Sequence, residues 1–478
     1  MMSTLRPSRA DKLPAHLGFF VLAVVAGAAS AQPSGPAAVP KVSPADPAFY
    51  SFTDADQRLL ERVQYACFEF FWKEVGQPAS LAKDRHKGPT SSIAAVGFQL
   101  SSLPIGVEHG WIKRHQGVKR AETVLATLLG RQDNKKFGVY LHFLDLNTGG
   151  LGREGYEVVA STVDHALLMA GVMTAGEYFG GQVAKLGNRL VNSTNWRAFA
   201  VGPNGYLSMG WKPDDAEHLD GSGEFLKWHW SNSSDEERLI YFLASGSPTP
   251  AYAIDPEMYF RLRRTMKHHD GGQPFAVAWS GPLFNYFFSH CWIDFRALGP
   301  DHPSRFGVNA PSIDWFENSR RAVLTHRQRC IEAAGRFGTL SADRWGLSAC
   351  VGRDGYIVPG TRPNLSDQDE WGEGTVAPYA AASSIMFTPK ESLAAIRAFM
   401  DLKDAAGKPL VWRDPKAGGF GFADAFNLDQ GYVSDDYVGI DQGPMLLAIE
   451  NARTGLIWKL FMEHHVAQRA VKRLKLKR

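Results

Sequence analysis

Apolar residues recur at helical spacing over 54–75, 119–131, 161–179, 235–245, 313–334, 389–402 and 441–462, and this repeated period limits the fold more than any other feature of the chain. The entrances are marked. Thr53 precedes Asp54 and Asp56, Ser161 precedes Asp164, and Pro389 precedes Glu391, so a cap, an acid or a proline stands where a helix start favours it. Strand-like runs are few and short, as in YLHFL (140–144) and GYIVP (355–359), and the connecting loops are rich in Gly, Pro and aromatic residues. Many helices joined by such loops predict an all-α toroid of helical hairpins. Paired inner and outer helices would close a ring, and the loops at one end would build a cleft. A helical solenoid is the alternative, but no regular repeat runs through the sequence.

At 478 residues with 44% hydrophobic content the chain can bury a large core, and no internal Gly/Ser/Pro linker divides it. The N-terminus reads as an address. Arg6, Arg9 and Lys12 precede an apolar run from Leu17 to Ala29, and Ala29-Ser30-Ala31 has the small-x-small form of a signal-peptidase site. We therefore expect residues 1–31 to be a signal peptide, 32–52 a flexible leader rich in Pro, Ala and Ser, 53–470 the catalytic domain and 471–478 a basic tail. The mature protein would be periplasmic or secreted. No other segment reaches transmembrane length. The formal charge is +3, of which the first 31 residues supply two, so a nucleic-acid partner is not expected, and the mature chain is expected to be a monomer. Cys67, Cys291, Cys330 and Cys350 show no metal-like spacing, so neither a metal nor another cofactor is expected; one disulfide or four buried thiols fit equally well.

Between Trp279 and Arg296 the sequence WSGPLFNYFFSHCWIDFR sets aromatic residues around His290, Asp294 and Arg296. A pyranose offers flat C–H faces to aromatic rings and a rim of hydroxyls to charged and amide groups, so such a mixture suits a sugar cleft. Similar mixtures recur in YLHFLD (140–145), WHW (228–230), DWFENSRR (314–321) and GFADAFN (421–427). Glycosidic cleavage usually needs two carboxyl groups, and the candidates are Asp164, Glu236 and Asp441, each at a helix entrance where the dipole alone would favour an acid. Asp84-Arg85, Asp294-Arg296 and Glu317-Arg320 read most simply as ion pairs that hold loops.

Several long motifs carry a resemblance. SSIAAVGFQLSSLPIGVEHGWI (91–112), STVDHALLMAGVMTAGEYF (161–179), GPLFNYFFSHCWIDFR (281–296), GFGFADAFN (419–427) and VGIDQGPMLLAIENARTGLIWKLF (438–461) are similar to the glucoamylase-like domain of bacterial exported proteins, over roughly residues 55–470 in consistent order. The best understood members are the endo-β-1,2-glucanases of glycoside hydrolase family 144. The resemblance implies an (α/α)6 toroid, no metal, and hydrolysis of β-1,2-glucan with inversion. Its catalytic glutamate falls on Glu236 and its helix-entrance aspartate on Asp164. Ser234 and Asp235 stand where the family often has Tyr and Asn, Val158-Val159-Ala160 occupy a region where it often has a further Glu, and Glu157 is offset from it.

The expectation is thus an exported glucan hydrolase with Glu236 and Asp164 as catalytic residues. Its cleft would be lined by His142, His290, Trp292, Asp294, Arg296, Asp424, Asn427, Asp441 and Gln442. A glycan-binding protein that has lost turnover, and a polysaccharide lyase with a His or Tyr base, are the other two classes the residues allow.

Overall fold

The computed structural model describes residues 47–152, 156–217, 219–233 and 235–477. The expected signal peptide and most of the expected leader lie outside them, as does Ser234. Fourteen α-helices are present among the described residues: α1 Asp54–Lys73, α2 Ile93–Glu108, α3 Arg114–Leu129, α4 Thr162–Phe179, α5 Gly181–Ser193, α6 Asp235–Gly246, α7 Glu257–Arg261, α8 Phe295–Leu298, α9 Trp315–Glu332, α10 Pro378–Ser383, α11 Pro389–Asp401, α12 Gly439–Arg453, α13 Leu456–Glu463 and α14 His465–Arg473. Strands are two to four residues long and pair into small antiparallel sheets in the loops.

The helices alternate between an outer and an inner ring. Inner helix α2 packs on α4, α4 on α6, and α6 on the 3-10 turns Leu283–Tyr286 and Ser289–Cys291. Phe287 meets Tyr379 of α10 with ring centroids 6.1 Å apart, α10 packs on α12, and α12 returns to α2. Outside them lie α1, α3, α5, α7, α9 and α11, so the chain closes the expected (α/α)6 toroid. Helix α7 is short, and α14 covers α6 in its place. The basic tail is tied to that contact, with Arg473 Nη1 donating to the Ser245 carbonyl at 2.8 Å.

Close approach at the centre of the ring depends on glycine. A Cβ at Gly171 of α4 would lie 2.0 Å from the Gly97 carbonyl oxygen of α2, so the two backbones touch where any side chain would force them apart. Gly443 of α12 does the same for α2 by accepting the Phe98 ring, 2.1 Å from where its Cβ would stand.

Thr53 and Asp56 form the reciprocal capping box of α1, and Pro389 opens α11. Ser161 departs from expectation, since its hydroxyl makes no cap to the α4 backbone and donates to Asp164 Oδ2 at 2.5 Å. The long period over 441–462 is broken at Gly455, whose φ of +71° starts a new helix, α13. The end of the leader is anchored: Tyr50 Oη donates to the Met386 carbonyl at 2.6 Å. All four cysteines are buried free thiols, and no described helix is long and apolar enough to cross a membrane.

Candidate active site

Because the inner helices run the same way, their first turns meet at one mouth of the ring. At the entrance of α6, Asp235, Glu236 and Glu237 follow one another about 100° apart around the axis, so they cannot share one environment. Asp235 is fully buried and accepts from Ser289 Oγ at 2.6 Å, from the Ser289 N–H and from Arg238. Glu237 is also fully buried and faces the Asn232 N–H at 3.4 Å. Glu236 alone of the three keeps partial access to water. Burial pushes its carboxyl well above the usual range, and Asp164, Glu237 and Asp235 add like-charge repulsion. A carboxyl held this way keeps its proton to higher pH and can give it to a leaving oxygen.

Asp164 sits in the first turn of α4. The Ser161 hydroxyl takes Oδ2, and His142 Nε2 lies 3.6 Å from Oδ1. His142 stacks on Phe143 at 3.8 Å and is flanked by Glu157 and Asp84. Burial raises both of those carboxyls, His142 opposes the rise, and Asp164 adds to it. The loop before α6 is fastened to α4 by Trp230, whose indole N–H donates to Thr162 Oγ1 at 2.8 Å.

Across the mouth, Asp441 and Gln442 open α12, and Asp441 is coupled to Asp424. Burial and the proximity of Asp424 hold Asp441 well above the carboxylate range. Asp424 Oδ2 accepts the Val351 N–H at 2.6 Å. Asp424 Oδ1, Asp441 Oδ2 and Gln442 Oε1 are buried and have no hydrogen-bond partner among the described residues. Tyr379 of α10 lies beside Asp441, its hydroxyl 2.9 Å from Ser348 Oγ. Arg85 tempers the acid pair but is itself held by Asp436, Nε to Oδ2 at 3.3 Å.

The expected lining is thus corrected in part. His142, Asp164, Glu236, Asp424, Asp441 and Gln442 converge. His290 and Trp292 are core residues, 1% and 0% exposed, with His290 Nε2 3.0 Å from Ser319 Oγ and the Trp292 N–H spent on Ser101 Oγ. Asn427 is fully buried and spends its amide on the Glu373 carbonyl and Thr375 Oγ1, holding a turn. Asp294 and Arg296 border a surface pocket with Gly455 and Trp458, beyond the C-terminal end of α12, whereas Asp441 stands at its N-terminal end. A helix of that length separates them by about 20 Å. Arg296 stacks there on Tyr50 and Trp458, at 4.8 and 5.4 Å. Glu317 is the expected ion-pair partner, of Arg320 and also of Arg321.

Tyr356 and Tyr379 were not expected in the mouth, and Asp84 was read only as a loop-holding acid. GYIVP registered as a strand, but nothing in it tells which way its tyrosine leans. Among the described residues the only cluster with the donors for a metal ion is His269, Asp270 and Glu332, an exposed group in which Gln328 and Arg329 also bind Glu332.

The chain is similar to several known proteins. A Parabacteroides distasonis exo β-1,2-glucooligosaccharide sophorohydrolase acting at the non-reducing end is 28% identical over 452 residues, which is 88% of this chain; the chain spans only 58% of that relative's length. A solved β-1,2-glucanase from the same species superposes with a TM-score of 0.73 at 26% identity, covering 89% of this chain and 60% of that one. The endo-β-1,2-glucanase of Chitinophaga pinensis, solved with sophorotriose and glucose, shares the fold with a TM-score of 0.71 at 24% identity, over 87% of this chain and 97% of its own. The glycoamylase family model, a glucoamylase description, matches residues 227–465, half of the chain and the half that carries Glu236, Asp424 and Asp441, and the chain belongs to that family.

Proposed function

We propose that this protein is a glycoside hydrolase that cleaves β-1,2-linked glucan with inversion, Glu236 serving as the general acid. The observation that carries the reading is the contrast within the acid triplet of α6: Asp235 and Glu237 are spent in the core, while Glu236 keeps partial access to water at the mouth, its carboxyl pushed upward by burial and by Asp164. Asp164 has one oxygen on Ser161 and the other facing His142, so its role is to repel ionisation of Glu236 and to hold a sugar hydroxyl. The coupled Asp424–Asp441 pair retains unpartnered oxygens, and a water bound there has a carboxylate to take its proton. Water attack from one side while Glu236 protonates the glycosidic oxygen from the other inverts the anomeric centre. The activities of the Parabacteroides distasonis and Chitinophaga pinensis relatives support the linkage.

A panel of linear β-1,2-, β-1,3- and α-1,4-glucans, with products separated by chromatography and the new anomer read by NMR, tests this directly. The expected result is β-1,2-glucan cleavage with the α-anomer formed first. Unsaturated products would establish a lyase, and binding without cleavage a glycan-binding protein. A second expectation is export. Mass spectrometry of the protein from its native cell should give a terminus near Gln32 outside the cytoplasm, and an intact Met1 or Met2 on cytoplasmic protein would exclude it.

A further inference from the structure

Tyr356 is on the second strand of a hairpin, Cys350–Gly352 paired with Gly355–Ile357, directly opposite Val351. Val351 spends both of its backbone groups outside that hairpin: its N–H donates to Asp424 Oδ2 at 2.6 Å, and its carbonyl accepts from Tyr432 Oη at 2.8 Å. The hairpin is therefore bolted edge-on to the carboxylate pair. Tyr356 thus stands across the hairpin from the residue that binds Asp424, near enough to Asp441, Asp424, Cys350 and Asp84 that burial and those groups push its phenol upward. Yet the residue is 40% exposed, and its side chain makes no hydrogen bond or ring contact with any described residue.

That placement is unusual for tyrosine. The ring normally packs against protein while the hydroxyl reaches water. Here a tyrosine at an acid-lined mouth keeps 40% of its surface exposed and has no aromatic partner among the described residues. A pyranose supplies what is missing, since a C–H face covers the ring and a hydroxyl meets the phenol. We propose that Tyr356 is a substrate-positioning residue, the hairpin-borne platform on which an uncharged pyranose stacks as it enters the Asp424–Asp441 side of the mouth. The carboxylates around it set the substrate class as well. A sugar carrying its own carboxylate would be buried among Asp84, Asp424 and Asp441 with Arg85 already held by Asp436, so uronates are rejected and neutral glucans accepted. This rests on the glucan-hydrolase reading.

The test compares the full chain with Tyr356→Ala, Tyr356→Leu and Tyr356→Phe on neutral β-1,2-glucooligosaccharides. Ala and Leu, which lack a flat face, should raise KM on the order of 10-fold with a smaller change in kcat. Phe should stay within about 3-fold of the parent, because it loses one hydrogen bond and keeps the face. Melting temperatures should be unchanged for all three, and oligosaccharides oxidised to the C6 carboxylate should not compete in the parent. If the parent is active and both Ala and Leu keep its KM, the Tyr356 proposal is wrong and the hydrolase reading stands. Effective competition by the oxidised sugars would overturn the assignment of substrate class. If the parent binds these oligosaccharides without cleaving them, the hydrolase reading fails, and the same fold-changes read as Kd by equilibrium dialysis decide the Tyr356 proposal. A parent that neither binds nor cleaves them defeats both.

Discussion

Glu236→Gln is expected to lower kcat on β-1,2-glucan by on the order of 10²-fold or more, equivalent to about 2.7 kcal/mol of transition-state stabilisation, with KM little changed. The amide has the shape of the acid and can still donate a hydrogen bond to the glycosidic oxygen, but it has no proton to give up. Substrate binding therefore survives and the leaving oxygen departs unprotonated. The parent's kcat/KM should fall on the alkaline side as pH rises through the raised pKa of Glu236, because only the protonated form works as an acid. The variant should lose that limb.

Stability gives an independent reading of the same group. The folded-state pKa of Glu236 lies above the unfolded value of about 4.3, so between the two values the folded protein holds a proton that the unfolded chain has released, and stability falls as pH rises across that window. Gln carries no such penalty. The melting temperature of Glu236→Gln should equal the parent's at low pH, exceed it increasingly as pH rises through that window, and keep a constant lead above it. A variant with near-normal turnover would show Glu236 to be only a helix-end acid, and Asp164 or Asp441 would become the acid to test.

The sequence made some of these features legible and hid others for physical reasons. Outer helices such as α1, α9 and α11 were visible because one face is wet, which writes a 3.6-residue period into the sequence. Helix α2 shows no such period, although it lies at the centre of the ring. Almost all of its residues from Ile93 to Gly106 are buried, so no polar face marks its register. The aromatic segment 279–296 misled in the same way, since a core lined with Phe and Trp reads like a sugar wall until exposure is known. His290 and Trp292 show that a polar atom beside aromatics is satisfied as easily by Ser319 or Ser101 as by a ligand. The acids at helix entrances were found, but their roles depend on which oxygens remain unpartnered, and that is settled by residues as distant in sequence as Val351 is from Asp424.

Asp235→Ala is expected to cost the fold about 3–5 kcal/mol, the usual result of removing one partner from a buried ion pair. Arg238 is 1% exposed and lies 3.8 Å above the Trp315 ring, so without Asp235 its charge cannot reach water. Among the described residues its remaining hydrogen bond is Nη1 on the Ser233 carbonyl at 3.3 Å, and its Nε has no partner there. The Ser289 N–H and hydroxyl would lose their acceptor together, loosening the join between α6 and the 3-10 turn that continues the inner ring. Burial raises the Asp235 carboxyl while Arg238 and the Ser289 donors oppose the rise, and a buried pair of this kind carries a desolvation cost that its attraction need not offset. Asp235→Ala/Arg238→Met should accordingly recover much of what the single change loses, because no charge is left stranded. Asp235 also contributes to the repulsion that raises Glu236, so any folded Asp235→Ala protein should show the alkaline limb of its pH profile at lower pH than the parent. Thermal denaturation and pH–rate profiles of the parent, the single and the double variant decide the matter. A single variant that melts within about a degree of the parent would mean that Arg238 finds water or another acceptor, and the buried pair would then not be what sets the Glu236 turn of α6.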